Sequence, residues 1–213
     1  MTTNEYLQAD LKAVDQFRAI RNQFYLKMRQ SQLKTLLISS PIDGIGKTTV
    51  AINLAASFAA NGTKVLLVDA NFTRPMLADA FGLQTPGLAE ALDGEKAVID
   101  LVQSTDIANL DVLTTGAAPE DASAVFVSQA FEAALAQLKQ QYDIVIFDGD
   151  TILDHADVEA LALLCDFTVL VVAHKAVKRE AFADVQATLA KLDDVEYGVV
   201  YNQAPAKRTD YDF

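Results

Sequence analysis

Gly44-Ile45-Gly46-Lys47-Thr48 has the residue types and order needed to hold a chain of phosphates. The segment follows a short apolar run and opens a helical one, the setting a phosphate-binding loop requires. Amides of such a loop point inward at phosphate oxygens, and the helix start adds partial positive charge. Lys47 is placed to reach the β- and γ-phosphates, and the Thr48 hydroxyl to bind Mg²⁺. Gly46 lets the backbone approach a ligand closely. With its flanks Asp43 and Thr49, the expected nucleotide contacts run from Asp43 through Gly44, Ile45, Gly46, Lys47 and Thr48 to Thr49. The outer glycine of the usual pattern is replaced by Pro41, so the strand–loop–helix setting and the Lys47-Thr48 pair carry the reading. ATP or ADP with Mg²⁺ is the expected cofactor.

Two aspartates, Asp69 and Asp148, each end an apolar run. In an open parallel sheet the carboxyl ends of the strands line the ligand crevice. A single aspartate there could merely cap the next helix. Two beside a phosphate loop favour metal or nucleophile chemistry. Asp148 suits a hold on Mg²⁺ through water, alongside Thr48. Asp69 suits the orientation or deprotonation of an attacking hydroxyl. Lys47, Asp69 and Asp148 are therefore the candidate catalytic set.

These residues need a scaffold. Thr35–Ser39, Val65–Asp69, Leu110–Leu113, Ile144–Asp148, Phe167–Ala173 and Tyr197–Tyr201 read as strands, and their continuous apolar character suits strands covered on both faces. Helices are expected over 47–60, 128–141, 157–164 and 178–192, with short ones between 75 and 105 broken by Gly82, Pro86, Gly87 and Gly94. Before the first strand, Leu7, Leu11, Val14, Phe17, Phe24 and Met28 recur at spacings of three, four or seven, predicting a helix over 5–29. The alternation implies an α/β fold: a doubly wound, mainly parallel sheet with helices on both faces. We expect an N-terminal helical element at 1–30, a nucleotide-binding domain at 31–203, and a polar tail at 204–213.

Composition narrows the function classes. The chain has 213 residues, enough for one such domain, and its net charge of −12 disfavours nucleic acid as a partner. The single cysteine, Cys165, permits no disulfide framework and suits a reducing compartment. It lies in an apolar run and reads as a small buried residue. The start of the chain lacks a signal-peptide pattern, and no stretch is apolar enough to span a membrane. A cytoplasmic protein is expected. The two histidines, His155 and His174, read as isolated, and no metal cluster or catalytic triad is apparent.

The run Ser39 to Ala55, Ser-Ser-Pro-Ile-Asp-Gly-Ile-Gly-Lys-Thr-Thr-Val-Ala-Ile-Asn-Leu-Ala, resembles the bacterial tyrosine kinases. So does Lys64 to Pro75, Lys-Val-Leu-Leu-Val-Asp-Ala-Asn-Phe-Thr-Arg-Pro, where the family carries a second acidic strand motif. Gly87-Leu88 with Leu92 and Gly94, Asn109 to Leu113, Tyr142 to Asp148 and the Asp157 region also match. The resemblance covers about residues 10 to 203. Asp15, Arg18 and Arg21 resemble the family's acidic-x-x-Arg-x-x-Arg element, which implies subunit packing in a ring. The alternative is a solvated basic stripe. The similarity is strongest to stand-alone cytoplasmic kinases of capsule and exopolysaccharide assembly, which implies a separate membrane polysaccharide co-polymerase whose cytoplasmic segment activates this chain.

The chain departs from the family pattern in places. Asn71 stands where the second aspartate is expected, an uncharged third candidate for the metal. Thr73 replaces the usual arginine, although Arg74-Pro75 follows. Gly149-Asp150-Thr151 replaces Thr/Ser-Pro-Pro after Asp148, and Asp150 could offset the charge lost at Asn71. The tyrosine cluster of the tail shrinks to Tyr211, the candidate phospho-acceptor, which could equally be an ordinary tail residue. Three functions therefore stand open: a tyrosine autokinase, an ATP-binding regulator that no longer transfers phosphate, and a partitioning or positioning ATPase. The last class carries a lysine five residues before Lys47, where this chain has Ile42.

Overall fold

A computed structural model of the chain describes residues 7, 11–92, 96–117, 119, 121–192 and 195–204. The chain enters through helix α1 (Leu11–Ser31) and then β1 (Thr35–Ser40). Next come α2 (Lys47–Ala59) and β2 (Val65–Asp69). Short helices α3 (Leu77–Phe81) and α4 (Leu88–Leu92) follow, then a 3₁₀ turn (Val98–Leu101). The two-residue strand β3 (Gln103–Ser104) precedes β4 (Leu110–Leu113), α5 (Ala122–Val125) and α6 (Gln129–Gln141). The last part alternates: β5 (Ile144–Thr151), α7 (Ala156–Leu164), β6 (Phe167–Ala173), α8 (Arg179–Leu189) and β7 (Tyr197–Asn202).

The strands form one sheet in the order β3-β4-β2-β5-β1-β6-β7. Every pairing is parallel except that of β3 with β4. The central strands are apolar on both faces because both are covered. Leu36, Ile38, Val65, Leu67, Ile144 and Ile146 pack on the side of α1, α2 and α3. Leu37, Leu66, Val68, Val145 and Phe147 pack against α6, α7 and α8 on the other. The expected doubly wound α/β architecture is what the chain adopts.

Three boundaries differ from expectation. The first helix runs to Ser31, while part of its predicted start falls outside the described residues. The short antiparallel strand β3 has no apolar run to announce it, because an edge strand of two residues needs only backbone pairing. β5 continues three residues beyond Asp148, through Gly149 and Asp150 to Thr151. Its pairing with β1 shifts register there, from Ile38 opposite Asp148 to Ser40 opposite Thr151. Gly149 permits this: a Cβ at that position would lie 2.7 Å from Leu37 Cδ1.

Helix α1 docks on α2 and the sheet through Phe24 and Tyr25. The Phe24 ring lies 5.4 Å from Phe167, edge-on, and 6.5 Å from Phe58. Arg21 Nη1 donates to the Ser57 carbonyl of α2 at 2.9 Å, and its guanidinium lies over the Tyr25 ring. Lys27 pairs with Glu196 nearby. Truncating a buried phenylalanine removes its transfer energy and leaves a cavity. Phe24→Ala is therefore expected to lower unfolding stability by about 3 kcal/mol in urea titrations. A loss under about 1 kcal/mol would show that α1 is held by its polar contacts instead.

Candidate functional site

The site is built where β1, β2 and β5 end. After β1 the chain turns through Gly44 and Gly46, whose φ angles of 75° and 92° are left-handed and cost little only for glycine. Ile45 between them is buried and anchors the turn in the core. The Asn202 side chain at the end of β7 donates to the Ile45 carbonyl at 2.9 Å, and a Cβ on Gly46 would lie 2.4 Å from the same amide nitrogen. The last strand thus braces the loop from across the sheet. Asn202 was not among the residues singled out from sequence; its only signal is a polar residue closing an apolar strand.

Lys47 begins α2 with its side chain 6 % exposed. Its ammonium donates to Asp43 Oδ1 at 2.8 Å and lies 3.8 Å from Asp150 Oδ1. The hydrogen bond from Lys47 holds the Asp43 carboxyl below its ordinary range. A cavity of about 300 Å³ opens over this loop, lined by Asp43, Gly44, Gly46, Lys47, Thr48, Thr49, Asn71, Arg74 and Met76. Arg74 thus reaches the cavity, whereas Thr73 is not among its lining residues.

The parallel register places Asp69 directly opposite Asp148 on the neighbouring strand. Both are buried. Asp69 accepts from three backbone amides, those of Asn71 at 3.2 Å and of Met76 and Leu77 at 2.9 Å, so it also caps α3. Asp148 takes a hydrogen bond from the Thr48 hydroxyl, while its Oδ1 is buried without a partner. Burial raises both carboxyls above the ordinary range, and the Asp69 charge raises Asp148 further. Asn71 turns its Oδ1 to the Arg74 amide at 2.8 Å. Its oxygen thus already serves the loop.

An orphaned, buried carboxylate oxygen beside a threonine hydroxyl is the donor set a hard dication fits. Among the described residues no group of three or more His, Cys, Asp or Glu side chains is placed to hold a metal. Mg²⁺ takes few protein ligands and completes its shell with phosphate and water. Thr48 and Asp148 would hold it, and Asn71 lines the same cavity.

The structure gathers Asp43 to Thr49, Asp69, Asn71 and Asp148 into one corner. The other candidates lie elsewhere. Asp15 and Arg18 pair with each other on the exposed side of α1 at 3.0 Å, whereas Arg21 turns inward to Ser57. The two arginines do not present one common face. Tyr211 lies outside the described residues. Neither histidine is isolated, contrary to expectation: His155 Nε2 is 3.3 Å from Asp150 Oδ2, and His174 Nδ1 is 2.5 Å from the Tyr201 hydroxyl. Sequence distance hides both contacts. Burial pushes the Cys165 thiol well up, which leaves it unreactive.

Known proteins resemble this chain in sequence and in fold. The family model described as an AAA domain matches residues 33–197. The tyrosine-protein kinase YwqD of Bacillus subtilis is 33% identical over 201 residues, covering 93% of this chain and 85% of that protein. The tyrosine-protein kinase wzc of Salmonella typhi is 28% identical over 203 residues, 93% of this chain but 28% of that protein. The chain thus spans about a quarter of the length of some relatives and most of the length of others. The crystal structure of the chimerical protein CapA2B2 superposes with a TM-score of 0.85 at 29% identity, covering 90% of this chain and 84% of that one. No helix among the described residues is long and apolar enough to cross a membrane.

Two measurements check the site. Lys47→Met removes the charge facing the cavity, and a charge-assisted contact is worth about 1.5–3 kcal/mol, so ADP affinity with Mg²⁺ is expected to fall roughly ten- to a hundredfold in calorimetry. Equal affinity in both proteins would remove the loop assignment. The raised carboxyls set a pH dependence. The folded chain holds protons on Asp69 and Asp148 that the unfolded chain releases above the ordinary carboxylate range. The nucleotide-free protein should therefore lose stability as pH rises from about 5 to about 8, and Asp148→Asn should flatten that slope in urea titrations.

Proposed function

This chain belongs to the bacterial tyrosine kinases of the P-loop NTPase superfamily, and on that premise we propose that it is an ATP- and Mg²⁺-dependent protein-tyrosine autokinase of capsule or exopolysaccharide assembly. The observation that carries this reading is the metal corner: the unpartnered Asp148 Oδ1, beside the Thr48 hydroxyl and opposite Asp69. Family membership itself rests on the match to the relatives described above.

In this reading the loop amides and Lys47 bind the phosphates, and Arg74 at the cavity wall adds a second positive charge. Mg²⁺ would neutralise charge on the β- and γ-phosphates. A tyrosine hydroxyl attacks the γ-phosphorus, the bond to the bridging oxygen of ADP breaks, and the hydroxyl proton passes to Asp69. A carboxylate whose proton affinity is raised by burial is a better acceptor than an exposed one. The amides of Asn71, Met76 and Leu77 hold Asp69 in position.

The acceptor is proposed to be Tyr211, offered by a neighbouring subunit. The partners are a second copy of the chain, arranged in a ring through α1 with Asp15 and Arg18 at the contact, and the cytoplasmic segment of a membrane polysaccharide co-polymerase. Arg21 contributes to that contact only by fixing α1 on α2. The chain is placed in the cytoplasm, at the inner face of the membrane when that partner recruits it.

One observation favours a second reading, an ATP-binding regulator without transfer. Asn71 brings no charge to the metal corner, and its oxygen is already engaged by Arg74. Incubation with ATP, Mg²⁺ and the activating segment separates the two. Phosphotyrosine is expected in the wild type, increased in Asn71→Asp, lost in Asp69→Ala and sharply reduced in Tyr211→Phe, by blotting and mass spectrometry. Signal absent from both the wild type and Asn71→Asp would establish the regulator.

A further inference from the structure

Asp150 has no part in the catalytic scheme above, yet it is one of the most buried carboxylates in the molecule. It sits on the segment where β5 runs on beyond Asp148, with its side chain 4% exposed. Oδ1 accepts from the Thr151 amide at 2.7 Å and lies 3.8 Å from Lys47 Nζ. Oδ2 lies 3.3 Å from His155 Nε2. Its charge is felt at Asp148, which it helps to raise.

The Lys47 ammonium is divided between two carboxylates. Asp43, largely exposed, has the short hydrogen bond; Asp150, buried, has the longer contact. If Lys47 turns to nucleotide phosphates, Asp43 is left in water at little cost. Asp150 is left buried beside Asp148 with its ammonium neighbour withdrawn and only the Thr151 amide and His155 beside it, and a buried charge that loses a cationic partner is unfavourable. A dication bound at the orphaned Asp148 oxygen supplies that compensation. Asn71, also at the cavity wall, has no charge to contribute.

We propose that Asp150 is a positioning residue for the metal: without ligating Mg²⁺, it provides the negative field that ties nucleotide engagement by Lys47 to Mg²⁺ uptake, in place of a carboxylate at position 71. This rests on the reading of the loop as a Mg²⁺-nucleotide site. It distinguishes the chain from one in which Asp150 merely holds Lys47 in the empty site.

The test is ADP binding by calorimetry, with Mg²⁺ and with EDTA, on the wild type, Asp150→Asn, Asp150→Ser and Asn71→Asp with Asp150→Asn. Asparagine keeps the acceptor for the Thr151 amide, and thermal unfolding checks each variant for folding; the serine variant serves if the asparagine variant does not fold. The quantity read is the gain in ADP affinity on adding Mg²⁺. The proposal expects that gain to shrink roughly tenfold in Asp150→Asn, with affinity in EDTA unchanged or higher because a repelling charge near the phosphates is gone. It expects the double variant to recover most of the gain. Equal weakening with and without Mg²⁺ would overturn the proposal and assign Asp150 to holding Lys47 alone. A wild type that binds ADP with no gain from Mg²⁺ would overturn the metal reading, and this inference with it. A wild type that binds no ADP at all would overturn the nucleotide reading first.

Discussion

The pairing of β2 with β5 in parallel register is the constraint on which the site depends. It sets Asp69 opposite Asp148 in the row where β2 ends. Each carboxyl is buried, and the Asp69 charge makes Asp148 harder to ionise. Such a pair is tolerated only if something compensates. The compensation is assembled from sequence-distant parts: three amides for Asp69, the Thr48 hydroxyl for one side of Asp148, and Lys47 nearby. One oxygen of Asp148 is left over. A slip of one residue would turn one aspartate toward the opposite face of the sheet. The continuous apolar runs of β2 and β5, buried on both faces, do not set the register by alternation. What sets it is the ends: the Asp143 carboxylate accepts the Lys64 amide at 2.8 Å at the start of both strands, and the Ala70 amide donates to the Asp148 carbonyl at their close.

The loop depends on the same economy of placement. Its two left-handed glycines expose amides toward the cavity, and its apolar member Ile45 is driven into the core. Brace and loop are far apart in sequence, since Asn202 closes the last strand. A change in the β7 end would therefore be transmitted to the phosphate loop through one hydrogen bond. That contact also explains why Gly46 admits no side chain even apart from its backbone angle.

Much of this was legible in the sequence because it follows from local rules. The fold class came from alternating apolar runs and helical periods, and the phosphate loop from Gly46-Lys47-Thr48 after a strand. The two strand-ending aspartates follow from the position of ligand crevices in parallel sheets. What was not legible depends on pairing between distant segments. Asp150 could be recognised as unusual but not placed, since the continuation of β5 past Asp148 depends on the fit of Gly149 against Leu37. His155 looked isolated because its partner lies across a turn. Arg21 looked like Arg18 because both share a helical spacing. The difference between them is the Ser57 carbonyl of another helix.

These hidden contacts share a direction. Arg74, which stands where the family's Arg-Pro follows, lines the phosphate cavity, and Asn71 caps the turn that carries it. Asparagine performs that capping without adding a third negative charge beside Asp69 and Asp148. An aspartate at 71 would make the same hydrogen bond to Arg74 but raise the repulsion in an already strained corner. Asp150 stands instead 3.8 Å from the Lys47 ammonium, which offsets it. A carboxylate there keeps negative charge near the metal corner while giving it a cationic partner. The changes at positions 71 and 150 are in this sense one rearrangement of charge around Lys47, not two independent departures.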